Sequence, residues 1–314
     1  MRLIFAGTPS PAVVALEALL ASHHEIVAVV TRPDAPAGRG RTLVPSPVSE
    51  LASSRGIEVL TPTSPGDPDF ISRFTEFAPD CAPIVAFGGL ITPALLNVPK
   101  FGWVNLHFSL LPRWRGAAPV QHAMWNGDDV TGATTFVLEQ GLDTGPILGQ
   151  VIEEIDPRDT SGALLERLSV VGAQLLVDTL DSLENGTARA IEQSSDGVTT
   201  APKITVADAQ IDWRSDAESI DRQIRACTPH PGAWTSWGDQ RIKIGPVSAS
   251  AQMVEVSLCA PGSAPGSAAL IGHHVVVATG GMPVQLGLVQ PPGKKLMPAI
   301  DWWRGLRSED VIFT

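Results

Sequence analysis

The chain has 314 residues, 44% of them hydrophobic and 18% charged, with a formal net charge of −11 at pH 7. That length and balance suit two globular domains with ample core material, and the acidic total excludes nonspecific nucleic-acid binding by bulk charge. No apolar run reaches bilayer length, the opening MRLIFAGTPS lacks a signal-peptide core, and Cys81, Cys227 and Cys259 are too scattered for a disulfide framework or a CxxC knuckle, so a cytoplasmic protein without a membrane segment is expected.

Residues 2–6 form an apolar run ending at Gly7, residues 11–21 place Val13, Leu16, Leu19 and Leu20 at helical spacing, and residues 26–30 are apolar again. A β-α-β start of this kind predicts a parallel sheet with right-handed crossovers. One glycine in the first turn is turn chemistry, not a GxGxxG dinucleotide motif. Residues 31–47 break the rhythm: they are rich in Pro and Gly and carry Arg32, Arg39 and Arg41. Such a long loop is either a solvated linker or a basic flap over a site. The alternation then resumes with helix 46–54, strand 57–60, helix 67–77, strand 83–87, a Gly88-Gly89 loop and a short helix near 93–96. Strand 103–107, helix 117–125, strands 131–139 and 147–155 and a long amphipathic helix at 161–183 follow.

From 185 to 208 the composition turns polar and small, as in a linker or extended crossing segment. A short helix at 217–226 precedes short runs at 233–237, 241–244, 253–258, 274–278 and 284–289, the spacing of a small β-barrel, while 260–269 reads as a loose low-complexity loop. The predicted architecture is α/β: a Rossmann-like domain with a predominantly parallel sheet over 1–189, a linker at 190–208, and a small C-terminal OB-like β-barrel domain over 209–314. Residues 1–205 carry a charge of −10 and residues 206–314 only −1, which leaves room for a local basic face in the second domain.

The densest chemistry lies in WVNLHFSLLPRWRGAAPVQ at 103–121. On a strand, residues two apart share a face, so Asn105 and His107 project together at the carboxyl end of their strand, where open α/β sheets bind ligands. An Asn amide can donate to a developing oxyanion and an imidazole can move a proton near neutral pH. Asp143, in the turn GLDTG at 141–145, is a candidate to orient and charge that imidazole. The bland alternatives are a satisfied polar pair in a strand, an Asp serving its turn, and Arg113 and Arg115 as solvated charges around Trp114. His23-His24 and His273-His274 are adjacent pairs expected to diverge, and no metal site is expected; no serine sits in a GxSxG elbow.

Taken together, NLH at 105–107, SLLP at 109–112, RWRGAAP at 113–119 and GLDTG at 141–145 resemble the methionyl-tRNA formyltransferase family. The resemblance extends to IFAGTP at 4–9, RPD at 32–34, PAGRG at 36–40, PSP at 45–47, APKI at 201–204, IDW at 211–213 and PPGKKL at 291–296, so nearly the whole chain is covered. It implies a Rossmann-like formyltransferase domain and an OB-like domain, 10-formyltetrahydrofolate as co-substrate, methionyl initiator tRNA as acceptor, no metal, and a monomer. It carries catalytic roles onto Asn105, His107 and Asp143, with His107 protonated beside Asn105 at the oxyanion. It places Phe87, Gly88, Gly89, Leu90, Ser109, Leu110, Leu111 and Pro112 around the folate, with Phe87 standing where the family usually has Tyr. It makes Arg32, Arg39, Arg41, Arg113, Arg115, Lys203, Arg222, Arg225, Lys294 and Lys295 the expected tRNA contacts.

Overall fold

The computed structural model describes residues 1–37, 42–249, 264–306 and 311–314. These form two compact units: Met1–Pro119 with Val130–Glu154 and Leu165–Ala201, and Val120–Asp129 with Ile155–Leu164 and Pro202–Thr314. Residues 190–201, read from the sequence as the start of a linker, thus group with the first unit, while 120–129 and 155–164 group with the second.

In chain order to residue 184 the elements are β1 (Arg2–Gly7), α1 (Ser10–Ala21), β2 (Glu25–Val30), β3 (Ala35–Ala37), β4 (Thr42–Val44), α2 (Pro47–Ser54), β5 (Glu58–Leu60) and α3 (Pro68–Glu76). Then come β6 (Ala82–Val85), α4 (Pro93–Leu96), β7 (Trp103–His107), α5 (Pro119–Asn126), β8 (Val130–Val137), β9 (Ile147–Glu154) and α6 (Ser161–Glu184). One sheet of order β5-β2-β1-β6-β7-β8-β9 organises the first unit. Its pairings are parallel from β5 to β7 and antiparallel for β7–β8 and β8–β9. The strand order reverses direction between β1 and β6, the switch point beside which open α/β sheets bind ligands.

Side-chain chemistry explains the elements. β1 is a continuous apolar run buried on both faces, as a central parallel strand demands. α1 starts with Pro11 inside its first turn and buries Ala12, Ala15, Leu16 and Leu19 at helical spacing. Ser46 and Asp67 cap α2 and α3 by accepting from the amides of Ser49 and Asp69. Phe74 of α3 stacks on Trp103, the first residue of β7, at 5.3 Å, and the Trp103 indole donates to the Leu95 carbonyl at 2.8 Å. The strand that carries the polar pair is thereby pinned at its start.

Three sequence readings change here. The loop at 31–47 contains a small antiparallel pair, β3 with β4, because Ala35 to Ala37 and Thr42 to Val44 satisfy each other's backbone groups; Arg39 and Arg41 lie outside the described residues. β6 stops at Val85, since Ala86 turns to φ +46°. His23 and His24 do not diverge: they follow α1 in a turn, not on a strand, and their rings lie 4.2 Å apart. They meet Asp181 and Glu184 of α6, with His24 Nε2 3.0 Å from Asp181 Oδ1 and His23 Nε2 2.8 Å from Glu184 Oε2. Donor atoms of His23, His24 and Asp181 lie within 4.8 Å of one another, at the amino-terminal end of β2 and so at the opposite end of the sheet from His107.

The second unit is built from antiparallel strands. Its elements are α7 (Ala217–Ala226), β10 (Trp234–Trp237), β11 (Gln240–Ile244), β12 (Ser248–Ala249), β13 (Ser267–Ile271), β14 (His274–Val277), β15 (Val284–Gln285), β16 (Leu288–Gln290), β17 (Met297–Pro298), α8 (Ala299–Arg304) and β18 (Val311–Ile312). They make sheets of order β10-β11-β16-β17 and β12-β15-β14-β13-β18. Phe313 stacks on both Trp213 and Trp302 at its core, at 5.7 and 5.9 Å. β13 replaces part of the expected loose loop at 260–269, because Ser267 to Ile271 pairs with β14 on one side and β18 on the other. The expected strand at 253–258 lies outside the described residues. Among those residues, no helix is long and apolar enough to cross a membrane.

Candidate active site

Asn105 pairs with Ile84 of β6 on one side and Phe136 of β8 on the other, and His107 faces Thr134. Held from both sides, β7 delivers the two polar side chains to its carboxyl end. Both line a cavity of about 530 Å³ in the first unit, within the range of small-molecule sites. The other walls are Ala86 to Ile91, Gly116 and Ala117, and the segment Leu138 to Asp143. Phe87, Gly88, Gly89 and Leu90 thus line the same cavity as Asn105 and His107. The Phe87 ring covers the Gly89 backbone so closely that a Cβ there would lie 2.5 Å from its Cε1.

Ser109, Leu110, Leu111 and Pro112 are not among the lining residues. They form a hydrogen-bonded turn behind the wall. The Ser109 hydroxyl donates to the Arg113 carbonyl at 2.6 Å, Thr134 Oγ1 donates to the Ser109 carbonyl at 2.6 Å, and the Leu111 amide donates to Thr134 Oγ1 at 3.2 Å. β7 ends at His107, and the alternation that sets Asn105 and His107 on one face ends with it.

His107 is buried. Its Nε2 lies 2.9 Å from the carbonyl oxygen of Trp114 and its Nδ1 lies 3.8 Å from Asp143 Oδ2. A carbonyl only accepts, so Nε2 carries the proton and Nδ1 is the basic nitrogen, facing the carboxylate. Burial pushes the imidazole below the ordinary histidine value, while the Asp143 charge and then the Trp114 carbonyl oppose that shift without cancelling it. The resting ring is therefore neutral at pH 7, and the protonated form expected at the oxyanion has to arise during the reaction; a proton added at Nδ1 would find Asp143 waiting.

The sign of that shift sets a stability effect. The folded ring stays neutral at pH values where an unfolded histidine, at 6.5, is already taking up protons. The unfolded chain then binds more protons, so this contribution is full above about 6.5 and is lost as pH falls toward the depressed folded value. In His107→Asn, the drop in Tm between about pH 7.5 and 5.5 is expected to be smaller than in the unsubstituted chain. An equal drop in both, measured by calorimetry, would refute the assignment.

Asp143 is 8% exposed and sits at φ +50° in the turn after β8. Its Oδ2 accepts from the Gly116 amide at 2.7 Å, which ties the turn to the loop that follows β7. Gly116 itself is at φ +127°, and a Cβ there would lie 2.6 Å from the Ala201 carbonyl. The segment 191–201 straps both loops. Ile191 and Ile147 exchange backbone hydrogen bonds at 2.8 and 2.9 Å, the Arg115 amide donates to the Thr199 carbonyl at 2.9 Å, and the Ala201 amide donates to the Arg115 carbonyl at 2.7 Å.

The basic residues divide by what already holds them. Arg115 is half-buried and donates to Gln193 Oε1 at 2.7 Å. Arg225 pairs with Asp221 at 2.7 Å, with only 12% of its side chain exposed, and Arg222 pairs with Glu218 and packs on Gly127. Arg32 donates to the carbonyls of Pro33 and Val44, bracing the base of the β3–β4 pair. Arg113 is exposed and lies over the Trp114 ring at 5.4 Å. Lys203, Lys294 and Lys295 are exposed.

The sequence matches the formyl transferase family over residues 1–180 and the formyl transferase C-terminal domain over residues 203–307. It is 55% identical to the methionyl-tRNA formyltransferase of Salinispora tropica, over 98% of this chain and 97% of that one. Among solved structures, an N-formyltransferase from Helicobacter canadensis in complex with folinic acid and dTDP-3-aminofucose superposes with a TM-score of 0.63 at 19% identity, covering 91% of this chain and 98% of that one. The methionyl-tRNA formyltransferase of Clostridium thermocellum gives a TM-score of 0.56 at 17% identity, covering 79% of this chain and 93% of that one.

Proposed function

This chain belongs to the methionyl-tRNA formyltransferase family, and from that premise we propose that the Asn105–His107–Asp143 cavity is where a formyl group passes from 10-formyltetrahydrofolate to the α-amino group of methionyl initiator tRNA. The observation that carries the assignment is the buried His107 ring, with its protonated nitrogen committed to the Trp114 carbonyl and its basic nitrogen turned to Asp143. As the amine attacks the formyl carbon, the nitrogen becomes acidic and its proton passes to His107. The imidazolium so formed is stabilised by the Asp143 carboxylate, and it returns the proton to the folate nitrogen as the C–N bond breaks. The Asn105 amide donates to the oxyanion of the tetrahedral intermediate. The folate ring would lie between the segments at 86–91 and 138–142, whose side chains and backbone wall the cavity. No covalent enzyme intermediate is formed.

The test is formyl transfer from 10-formyltetrahydrofolate offered methionyl-tRNA, unacylated tRNA, glycinamide ribonucleotide and water as acceptors. Transfer to methionyl-tRNA alone is expected; faster transfer to the small amine or to water would overturn the acceptor. Under this reading residues 1–189, together with the strap at 191–201, form the catalytic domain, and residues 209–314 form a tRNA-binding domain of a cytoplasmic monomer. Lys203, Lys294 and Lys295 are exposed cations suited to phosphate contact, whereas Arg115 and Arg225 are held by protein partners. Replacing Lys294 and Lys295 together by Ala is expected to raise KM for tRNA, spare KM for the folate, and flatten the salt dependence of tRNA binding by about two units of slope. An unchanged slope would exclude both.

A further inference from the structure

We propose that Gln193 is a positioning residue of the transfer site: its side chain locks the turn that carries Asp143 to the loop that carries Arg115 and Gly116, and so fixes Asp143 opposite His107. The inference rests on the assignment of Asn105, His107 and Asp143 made above. The Gln193 amide nitrogen donates to the Asp143 carbonyl at 2.7 Å and to the Gly145 carbonyl at 2.8 Å. Its amide oxygen accepts from Arg115 Nη2 at 2.7 Å and Nε at 3.2 Å. Every donor and acceptor of the side chain is thereby used on the two loops that build the site. Two carbonyls gripped from one point, two residues apart, hold Asp143 at a φ of +50°, which a non-glycine residue adopts only when its surroundings impose it.

The backbone of the strap keeps its own anchors without this side chain: Ile191 on Ile147 at one end, and Thr199 and Ala201 on Arg115 at the other. The Trp114 amide also donates to Thr199 Oγ1 at 2.8 Å. Removing the Gln193 side chain should therefore loosen the turn while the fold persists. The charge that faces the His107 ring is Asp143, and the other polar contact is the Trp114 carbonyl.

Gln193→Leu and Gln193→Glu test the role. Glu keeps an acceptor for Arg115 but loses both donors and turns a carboxylate toward two carbonyl oxygens. Both variants are expected to lower kcat by roughly 10–100-fold, the cost of misplacing a catalytic group by about an ångström or less, while KM for the folate moves by less than about 3-fold. In the ligand-free protein, the His107 ring followed by NMR should titrate at lower pH in both variants, because the Asp143 charge that favours its protonated form has receded. Wild-type kcat with an unmoved His107 titration in Gln193→Leu would overturn the proposal. So would recovery of kcat in Gln193→Glu, which would place the effect on Arg115. The titration needs no turnover, so it stands apart from failure of the unsubstituted chain to transfer formyl groups, which would instead sink the catalytic reading.

Discussion

His107→Ala is expected to lower kcat by roughly 10²–10⁴-fold, the range for removing a positioned acid–base group, with little change in KM for either substrate. The ring does three things that no neighbour can take over. It accepts the amine proton at Nδ1, it holds that proton against Asp143, and through Nε2 it fixes the Trp114 carbonyl, which is at the turn of the tryptophan–arginine loop. Trp114 sits at φ +61°, so that turn depends on its hydrogen bonds. Asp143→Asn is expected to fall between the unsubstituted chain and His107→Ala: the Gly116 amide keeps an acceptor, while the charge that supports the imidazolium is gone. Because His107 is neutral at rest, kcat/KM should fall as pH drops through its depressed pKa, where the ring is already protonated and cannot accept. Single-turnover rates against pH measure this. A His107→Ala variant with near-normal turnover would remove His107 from the chemistry, and a rate that rose toward acid would show that the charged ring is the working form.

Most of the sheet was legible because its strands are apolar runs and its helices carry periodic apolar faces; β7 and the Asn105–His107 pair followed from period-two geometry alone. The spacing between His107 and Asp143 carried no geometric information; a carboxylate in a Gly-flanked turn was a candidate partner, and the family resemblance strengthened the link. What stayed hidden depended on backbone direction or on polar side chains without periodicity. The turn at 109–112 was hidden because nothing in SLLP announces that the strand has ended and that Thr134 will hold the turn. Gln193 was invisible inside a polar stretch that reads as a spacer, although its amide joins both active-site loops. Arg225 looked like a phosphate contact, and only Asp221 one turn earlier on the same helix face hinted at the pair that holds it. The resemblance named the reaction, whereas the resting charge of His107 came from burial that no motif encodes.

The glycines of the Asp143 turn yield the second large effect. A Cβ on Gly145 would stand 1.8 Å from the Val137 carbonyl oxygen, whereas one on Gly141 would stand 2.2 Å from Thr144 Oγ1. The first obstacle is backbone at the end of β8, whereas the second is the short branched side chain of Thr144, whose Cγ2 at 2.9 Å and Cβ at 3.1 Å leave rotation only partial relief. Gly145→Ala must therefore displace the turn, and Asp143 two residues earlier moves with it; Gln193 then loses one or both of its carbonyl acceptors. Overpacking of this kind costs about 1–3 kcal/mol of stability, and a shift of about 1 Å in Asp143 adds a loss of roughly 10²-fold in kcat. Gly141→Ala should lose less than about 10-fold, since Asp143 keeps its place. Measuring Tm and kcat for the pair separates packing from chemistry: each variant adds one methyl group to the same five-residue turn, at different ends of it, so equal losses would mean that the turn tolerates movement and that the position of Asp143 is not what limits the reaction.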